Sequence, residues 1–418
     1  MTGGVRRLSH VRPGICAPPE RYDRGMDPDS VVSPRGRLAA GIVGCLTLLA
    51  IGWTGLLIPS LIRSIESTFD QNDAGIGIVY LAYALAYTTG SFAGGGLTER
   101  LGRRLVLGGA VLVHALGIAG LGLAPSWVMF VTTVLIAGAG AGCLDGGANG
   151  LVLDVYRDGR GRAMNLLHVS FSVGALSAPL VVGSLVAGGA AWQTVAISTG
   201  AAVCLLAIAY VVVPMPSGRR DTSATRPVGG RRLLAGPLLL LGIAIAAYVA
   251  SEVGVSNWLV RFLETAPLTS ATLALSLYWA GLTVGRLVAS AIADRFDHLR
   301  FTIACALGVA VMLAVAILIP DLPLSMAAFA VAGVASGPTF PMIVALGGER
   351  HPERSAAVGG ALTGMAVVGS IVYPPAMGFL SVTAGLTFAM LGTVVLALAC
   401  ALALVAYRRA TIAPGASI

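Results

Sequence analysis

The stretch "GGLTERLGRR" (residues 95–104) joins two long apolar runs, and its reading decides the fold. It packs three arginines and a glutamate into a region otherwise almost free of charge. A related stretch, "SAIADRFDHLR" (290–300), lies between two later apolar runs, so that Glu99-Arg100 is matched 195 residues on by Asp294-Arg295. The same offset carries Gly138 onto Gly333, Gly142 onto Gly337, Asp154 onto Glu349, Gly174 onto Gly369, Pro179 onto Pro374 and Gly183 onto Gly378. Glycine matches come easily in a chain with 55 glycines, but a proline and acidic-basic pairs in register do not. The chain reads as two copies of one unit.

Composition supplies the setting. The 418 residues are 56% hydrophobic and only 11% charged, with a mean hydropathy of +0.86. A soluble chain of this size could not cover so much apolar surface, so its solvent is lipid. Twelve apolar segments, 38–60, 72–97, 104–124, 127–154, 163–187, 192–213, 235–263, 269–294, 300–319, 323–349, 355–380 and 384–407, are each long enough to cross a bilayer as a helix. None shows the period-two alternation of a membrane barrel strand. The expected fold class is therefore all-α integral membrane, with twelve transmembrane helices in two parallel six-helix repeats.

All 27 basic residues are arginine, and 24 of them fall before the first span, in alternate loops or in the tail. Only Arg63, Arg261 and Arg286 lie elsewhere. By the positive-inside rule both termini and the central loop are cytoplasmic, in a bacterial-type inner cell membrane crossed many times. The +8 net charge is thus topological rather than a nucleic-acid patch. The expected organisation is an Arg-rich disordered segment (1–37), an N-terminal half (38–213), a polar, breaker-rich linker (214–234), a C-terminal half (235–407) and a cytoplasmic tail (408–418). Met26 opens a shorter alternative start. The six cysteines are scattered without metal-ligand spacing, and the five within spans read as small apolar packing residues.

The 95–104 stretch resembles the signature of the major facilitator superfamily, with Glu99 standing where that pattern usually has aspartate. The second copy keeps Asp294-Arg295 but lacks the glycine and the double arginine. Elementary physics makes the motif intelligible: Gly95 permits close helix contact, Gly102 a tight turn, and Glu99 can accept hydrogen bonds from arginine. Gly95, Glu99, Arg100, Gly102, Arg103, Arg104, Asp154, Asp294 and Arg295 are accordingly expected to form a cytoplasmic gate whose contacts stabilise the outward-open state. Within the superfamily, "GCLDGGANG" (142–150), "MNLLHVSFSVGALSAPLVVG" (164–183), "SEVGVSNWLVRFLE" (251–264), "YWAGLTVGRLVASAIADR" (278–295) and "GPTFPMI" (337–343) look like the fucose permease (sugar–proton symporter) group. That group often carries a carboxylate in its first span, and "GCLTLLAIGWTGLLIPS" (44–60) has none.

Asp145 sits in one of the most apolar stretches of the chain, where a charged carboxylate is costly. Asn149 shares its helix face, and Asn165 and His168 on the returning span reach a comparable depth. Gly138, Gly142 and Gly146 make the Asp145 span slim, for close packing or for an open cavity wall. The other half offers Glu252, with Asn257 and Trp258 about one turn and one and a half turns further along. The substrate-binding set is Asp145, Asn149, Asn165, His168, Glu252, Asn257 and Trp258, with Asp145 and Glu252 as proton-coupling candidates. Each has a plainer reading: an interhelical hydrogen bond for Asp145 and His168, an interfacial anchor for Trp258. His114 reads as structural.

No phosphate loop, nucleophile elbow or metal set is present, which argues against an ATP-driven pump or an enzyme. No cofactor and no nucleic-acid partner are expected. The expectation is a monomeric secondary transporter that moves a small polar, sugar-like solute by alternating access, coupled to protons. The alternative is a drug or metabolite efflux antiporter, because "GALSAPLVVG" (174–183) loosely resembles the motif of drug–proton antiporters.

Overall fold

The computed structural model describes residues 33–156, 160–215, 236–351 and 354–412. Of the segment expected to be disordered (1–37), residues 1–32 lie outside the described residues, as do the Met26 start, nearly all of the linker and the end of the tail; residues 34–37 instead open the first helix, capped by Ser33. The helices are α1 (Pro34–Gly55), α2 (Leu57–Phe69), α3 (Asp73–Leu101), α4 (Arg103–Leu123), α5 (Trp127–Val155), α6 (Arg160–Ala187) and α7 (Trp192–Val212). They continue as α8 (Pro237–Phe262), α9 (Leu268–Ile292), α10 (His298–Leu318), α11 (Leu322–Ser336), α12 (Thr339–Arg350), α13 (Ser355–Ala384) and α14 (Leu386–Ile412). No strand occurs among the described residues. Pairs α1–α2 and α11–α12 each make one crossing, so twelve spans result among the described residues. The second break falls at Pro338 and the first at Gly55–Leu56, where Pro59, four residues on, has no N–H to donate to the Gly55 carbonyl.

Observed spans agree with the expected ones to within a few residues, with larger differences at the ends of the first, second, eleventh and twelfth. The first crossing runs on to Phe69 instead of ending near residue 60. Hydropathy stops at Arg63 and Glu66, yet the helix continues because those charges find partners on the other half. Apolar side chains ring the exterior, with Val128 74% and Leu116 70% exposed, the belt that lipid would cover.

Glycines set how closely the helices approach. A Cβ on Gly142 of α5 would overlap the Tyr87 carbonyl of α3, and one on Gly138 would come within 2.8 Å of the Tyr83 carbonyl. The glycine stripe of the fourth span is therefore a packing seam against α3. In the second half Gly337 meets the Leu282 carbonyl of α9 in the same way. Gly174 sits on the Leu49 carbonyl of α1, and its repeat partner Gly369 sits on the Ala246 carbonyl of α8.

The halves meet through α3 with α13, α6 with α9, and α2 with α8. Gly183 packs on Thr272, and Gly378 packs on Asp73 and Gly77. Gly183 and Gly378 are partners in the 195-residue repeat, as are Gly77 and Thr272. The two contacts are thus one contact repeated about a pseudo-twofold axis. Both lie toward the face away from the chain termini, here called the outer face. The opposite, basic face carries the arginine-rich turns.

Candidate functional site

Two carboxyl-centred clusters face each other across the interface between the halves. In the first, Asn149 Nδ2 donates to Asp145 Oδ1 at 3.1 Å and to the Asp145 carbonyl at 2.9 Å. Its amide therefore turns back on its own helix, while its Oδ1 is buried without a partner among the described residues. The Tyr87 hydroxyl of α3 faces Asp145, and His168 of α6 lies within electrostatic reach. Asn165, at the exposed end of α6, makes no side-chain hydrogen bond among the described residues, so the expected four-residue cluster reduces to Asp145, Asn149 and His168.

In the second cluster the Tyr248 hydroxyl lies between the Glu252 carboxyl and the Ser336 carbonyl, 2.8 Å from the latter. Tyr278 and Arg286 of α9 line the same region. Arg286 Nη1 reaches across the interface to Ser172 Oγ of α6 at 3.5 Å, the outer limit of a hydrogen bond. Tyr87, Tyr248 and Arg286 were not among the expected site residues. An arginine inside a span was the available signal for Arg286.

Asn257 and Trp258 occupy a different place from the expected cavity wall. Trp258 is fully buried, its Nε1 donates to the Pro374 carbonyl at 2.8 Å, and Tyr80 packs edge-on against it at 5.5 Å. The Tyr80 hydroxyl donates to the Asn257 carbonyl at 2.8 Å. Trp258 and Asn257 therefore belong to the closed outer seal in this conformation. His114 is structural: buried Nδ1 donates to the Ala137 carbonyl at 2.8 Å, and Nε2 pairs with Thr54 Oγ1 at 2.9 Å.

Arg63 and Arg261, two exceptions to the arginine pattern, form a latch at the outer face. Arg63 of α2 donates to the carbonyls of Val260 at 2.9 Å, Ala266 at 2.9 Å and Leu263, gathering orphan acceptors at the end of α8. Arg261 of α8 answers from the other half, with Nε 3.0 Å from Glu66 and 2.8 Å from Asp73. Glu264 contacts the same guanidinium, and Ser381 of α13 donates to Asp73. The molecule is thus tied shut at the outer face, whereas His168 and Asn165, nearer the basic face, are exposed.

At the basic face the expected gate takes another form. Arg103 Nη2 pairs with Asp154 Oδ2 at 2.6 Å, and His298 Nδ1 lies 2.7 Å from Glu349 Oε1. Arg103 and His298 are partners in the 195-residue repeat, as are Asp154 and Glu349. Each pair clamps the start of a half's third helix to the end of its fourth, so both work within a half rather than between halves. Arg104 donates to the Val213 carbonyl at 3.1 Å, while Glu99, Arg100 and Arg295 are exposed without side-chain partners among the described residues. The Asp294 side chain lies outside the described residues. Gly102 has φ 87°, as a tight turn requires. A Cβ on Gly95 would meet nothing within 4 Å, contrary to the close contact expected there.

These features define a two-half membrane transporter, and sequence comparison places it. The profile of the Major Facilitator Superfamily matches residues 41–266 and 239–416, so the chain belongs to that family, whose members are transporters and not enzymes. It is 26% identical over 391 residues to the gentisate transporter of Corynebacterium glutamicum, covering 88% of this chain and 87% of that protein. It is 26% identical over 133 residues to sodium-dependent glucose transporter 1A of Mus musculus, covering 32% of this chain and 31% of that protein. The matched stretch spans about a quarter to a third of the length of the sodium-dependent glucose transporters. The solved structure of the E. coli fucose:proton symporter FucP superposes with a TM-score of 0.63 at 17% identity, over 89% of this chain and 99% of that one.

Proposed function

We propose that this protein is a monomeric, proton-coupled transporter of a small hydroxylated, sugar-like solute, working by alternating access in an inner cell membrane with both termini cytoplasmic. The observation that carries the reading is the pair of carboxyl clusters, Asp145 with His168 and Glu252 with Tyr248, facing one interface from opposite halves. Hydroxyl-rich solutes need bidentate acceptors and donors of this kind. The relatives named for glucose and gentisate transport add support, since both names denote small hydroxylated molecules.

The Tyr248 network supports proton coupling. Its hydroxyl has one proton and two acceptor neighbours, Glu252 and the Ser336 carbonyl. Both neighbours are fully satisfied when Glu252 brings a proton of its own. Positive-inside orientation makes the basic face cytoplasmic, so the described conformation is inward-facing. The test is uptake of radiolabelled sugars and hydroxylated solutes into proteoliposomes, with and without a pH gradient. Gradient-driven accumulation supports symport; uptake indifferent to the gradient reduces the reading to facilitated diffusion. Accumulation of structurally unrelated hydrophobic drugs would favour the efflux alternative.

A further inference from the structure

We infer that Arg286 recognises a carboxylate on the transported solute, so that the substrate is a small hydroxylated organic acid. This inference deepens the transport reading above and rests on it.

Arg286 lies in α9 six residues before its end at the basic face, ~9 Å along the axis, so its charge belongs to the membrane-spanning part of the helix. Intramembrane cations normally pair with a carboxylate, because desolvation of a lone charge is costly. Arg286 has no carboxylate within 4.0 Å among the described residues. Its hydrogen bonding to the described residues is the single 3.5 Å contact to Ser172 Oγ. A guanidinium carries five donors in a planar fork that matches a carboxylate bidentately, so most of its capacity is unused by the protein.

The surroundings select the same chemistry. Ser172 of α6 touches the guanidinium, and His168 of α6 and Tyr248 and Tyr278 of the C-terminal half lie within electrostatic reach of it; Glu252 shares the neighbourhood of these tyrosines but forms no ion pair with Arg286 among the described residues. The two carboxyl groups, Asp145 and Glu252, are each engaged by their own neighbours. They remain placed to accept from hydroxyls on a solute whose acid group sits at Arg286. Trp279 lies two helical turns from Arg286 on the same face of α9, and it packs on Phe171 of α6 at 5.8 Å. That ring pair joins the halves toward the outer face and offers an apolar wall to the body of the solute.

Matched pairs of probes test the assignment: D-glucuronate against D-glucose, and 2,5-dihydroxybenzoate against 1,4-dihydroxybenzene. Counterflow in proteoliposomes is measured for the native protein, Arg286→Lys and Arg286→Gln. The native protein should prefer at least one acid over its neutral partner, and Arg286→Gln should lower that preference about a hundredfold. Arg286→Lys should keep part of it, since the charge remains and the fork is lost. The acid-to-neutral ratio is read within each variant, which separates selectivity from the amount of folded protein. Equal transport of acid and neutral partner by the native protein, or a ratio unchanged in Arg286→Gln, would overturn the assignment and leave the transporter reading intact. Failure of all four probes and of neutral sugars to move would overturn both.

Discussion

Replacing Arg261 by Gln should release the outer face. Arg261 makes charge-assisted bonds to Glu66 and Asp73 across the halves at 3.0 and 2.8 Å. The three side chains are 23%, 12% and 7% exposed, so water screens the latch only partly. Breaking one partner of a largely buried pair costs about 3–5 kcal/mol, whereas exposed pairs are worth about 0–1 kcal/mol. When the halves part, water replaces some of these bonds, which leaves a difference of about 2–3 kcal/mol between conformations. That corresponds to about a 30- to 150-fold change in the ratio of outer-closed to outer-open molecules. The assay is maleimide labelling from the outer face of a cysteine at Tyr80, which is buried against Trp258 beneath the latch. In a background without native cysteines, Tyr80→Cys should label slowly with Arg261 present and much faster with Arg261→Gln. Glu66→Gln should move labelling the same way by less, because Asp73 still holds the guanidinium. Equal labelling rates in all three proteins would refute the latch.

Three other outcomes follow from the geometry. Gly142→Ala should sharply reduce the yield of folded protein, since its methyl would overlap the Tyr87 carbonyl, whereas Gly95→Ala should be neutral; size-exclusion profiles in detergent compare them. Arg103→Ala should lower thermal stability by about 1–3 kcal/mol by undoing the clamp to Asp154, without opening the outer face; a melting curve and the Tyr80→Cys labelling rate read the two effects separately. Asp145→Asn and Glu252→Gln should each retain solute exchange, and loss of gradient-driven accumulation should identify which carboxyl couples protons; native accumulation in both variants would count against coupling at either.

The order and number of spans were legible in the one-dimensional pattern because each span must bury its own backbone in lipid, a requirement that about twenty apolar residues meet locally. The repeat and the arginine asymmetry between the two faces were legible for a related reason. An offset of 195 residues and the placement of 24 arginines need no knowledge of which helices touch. Asp145 and Glu252 stood out because a carboxylate in an apolar run is expensive wherever it points.

Partnership was a different matter. Arg63 and Arg261 were visible only as exceptions to the charge pattern, because their partners lie 188 to 203 residues away on the other half. Arg103 and His298 were not recognisable as counterparts, since an arginine and a histidine share no motif until Asp154 and Glu349 are seen beside them. Gly95 and Gly142 are the same residue type in the same kind of helix. One faces open space and the other a carbonyl oxygen, and only the rotation of α3 against α5 distinguishes them. Trp258 shows the limit most clearly. Its depth and neighbours suited a cavity wall, but the closure of the halves at the outer face turns that wall into a seal. Hydropathy and spacing act along the chain and determined its spans and halves. Which side chains meet depends on helix rotation and on the conformation the two halves share, and packing alone decides that.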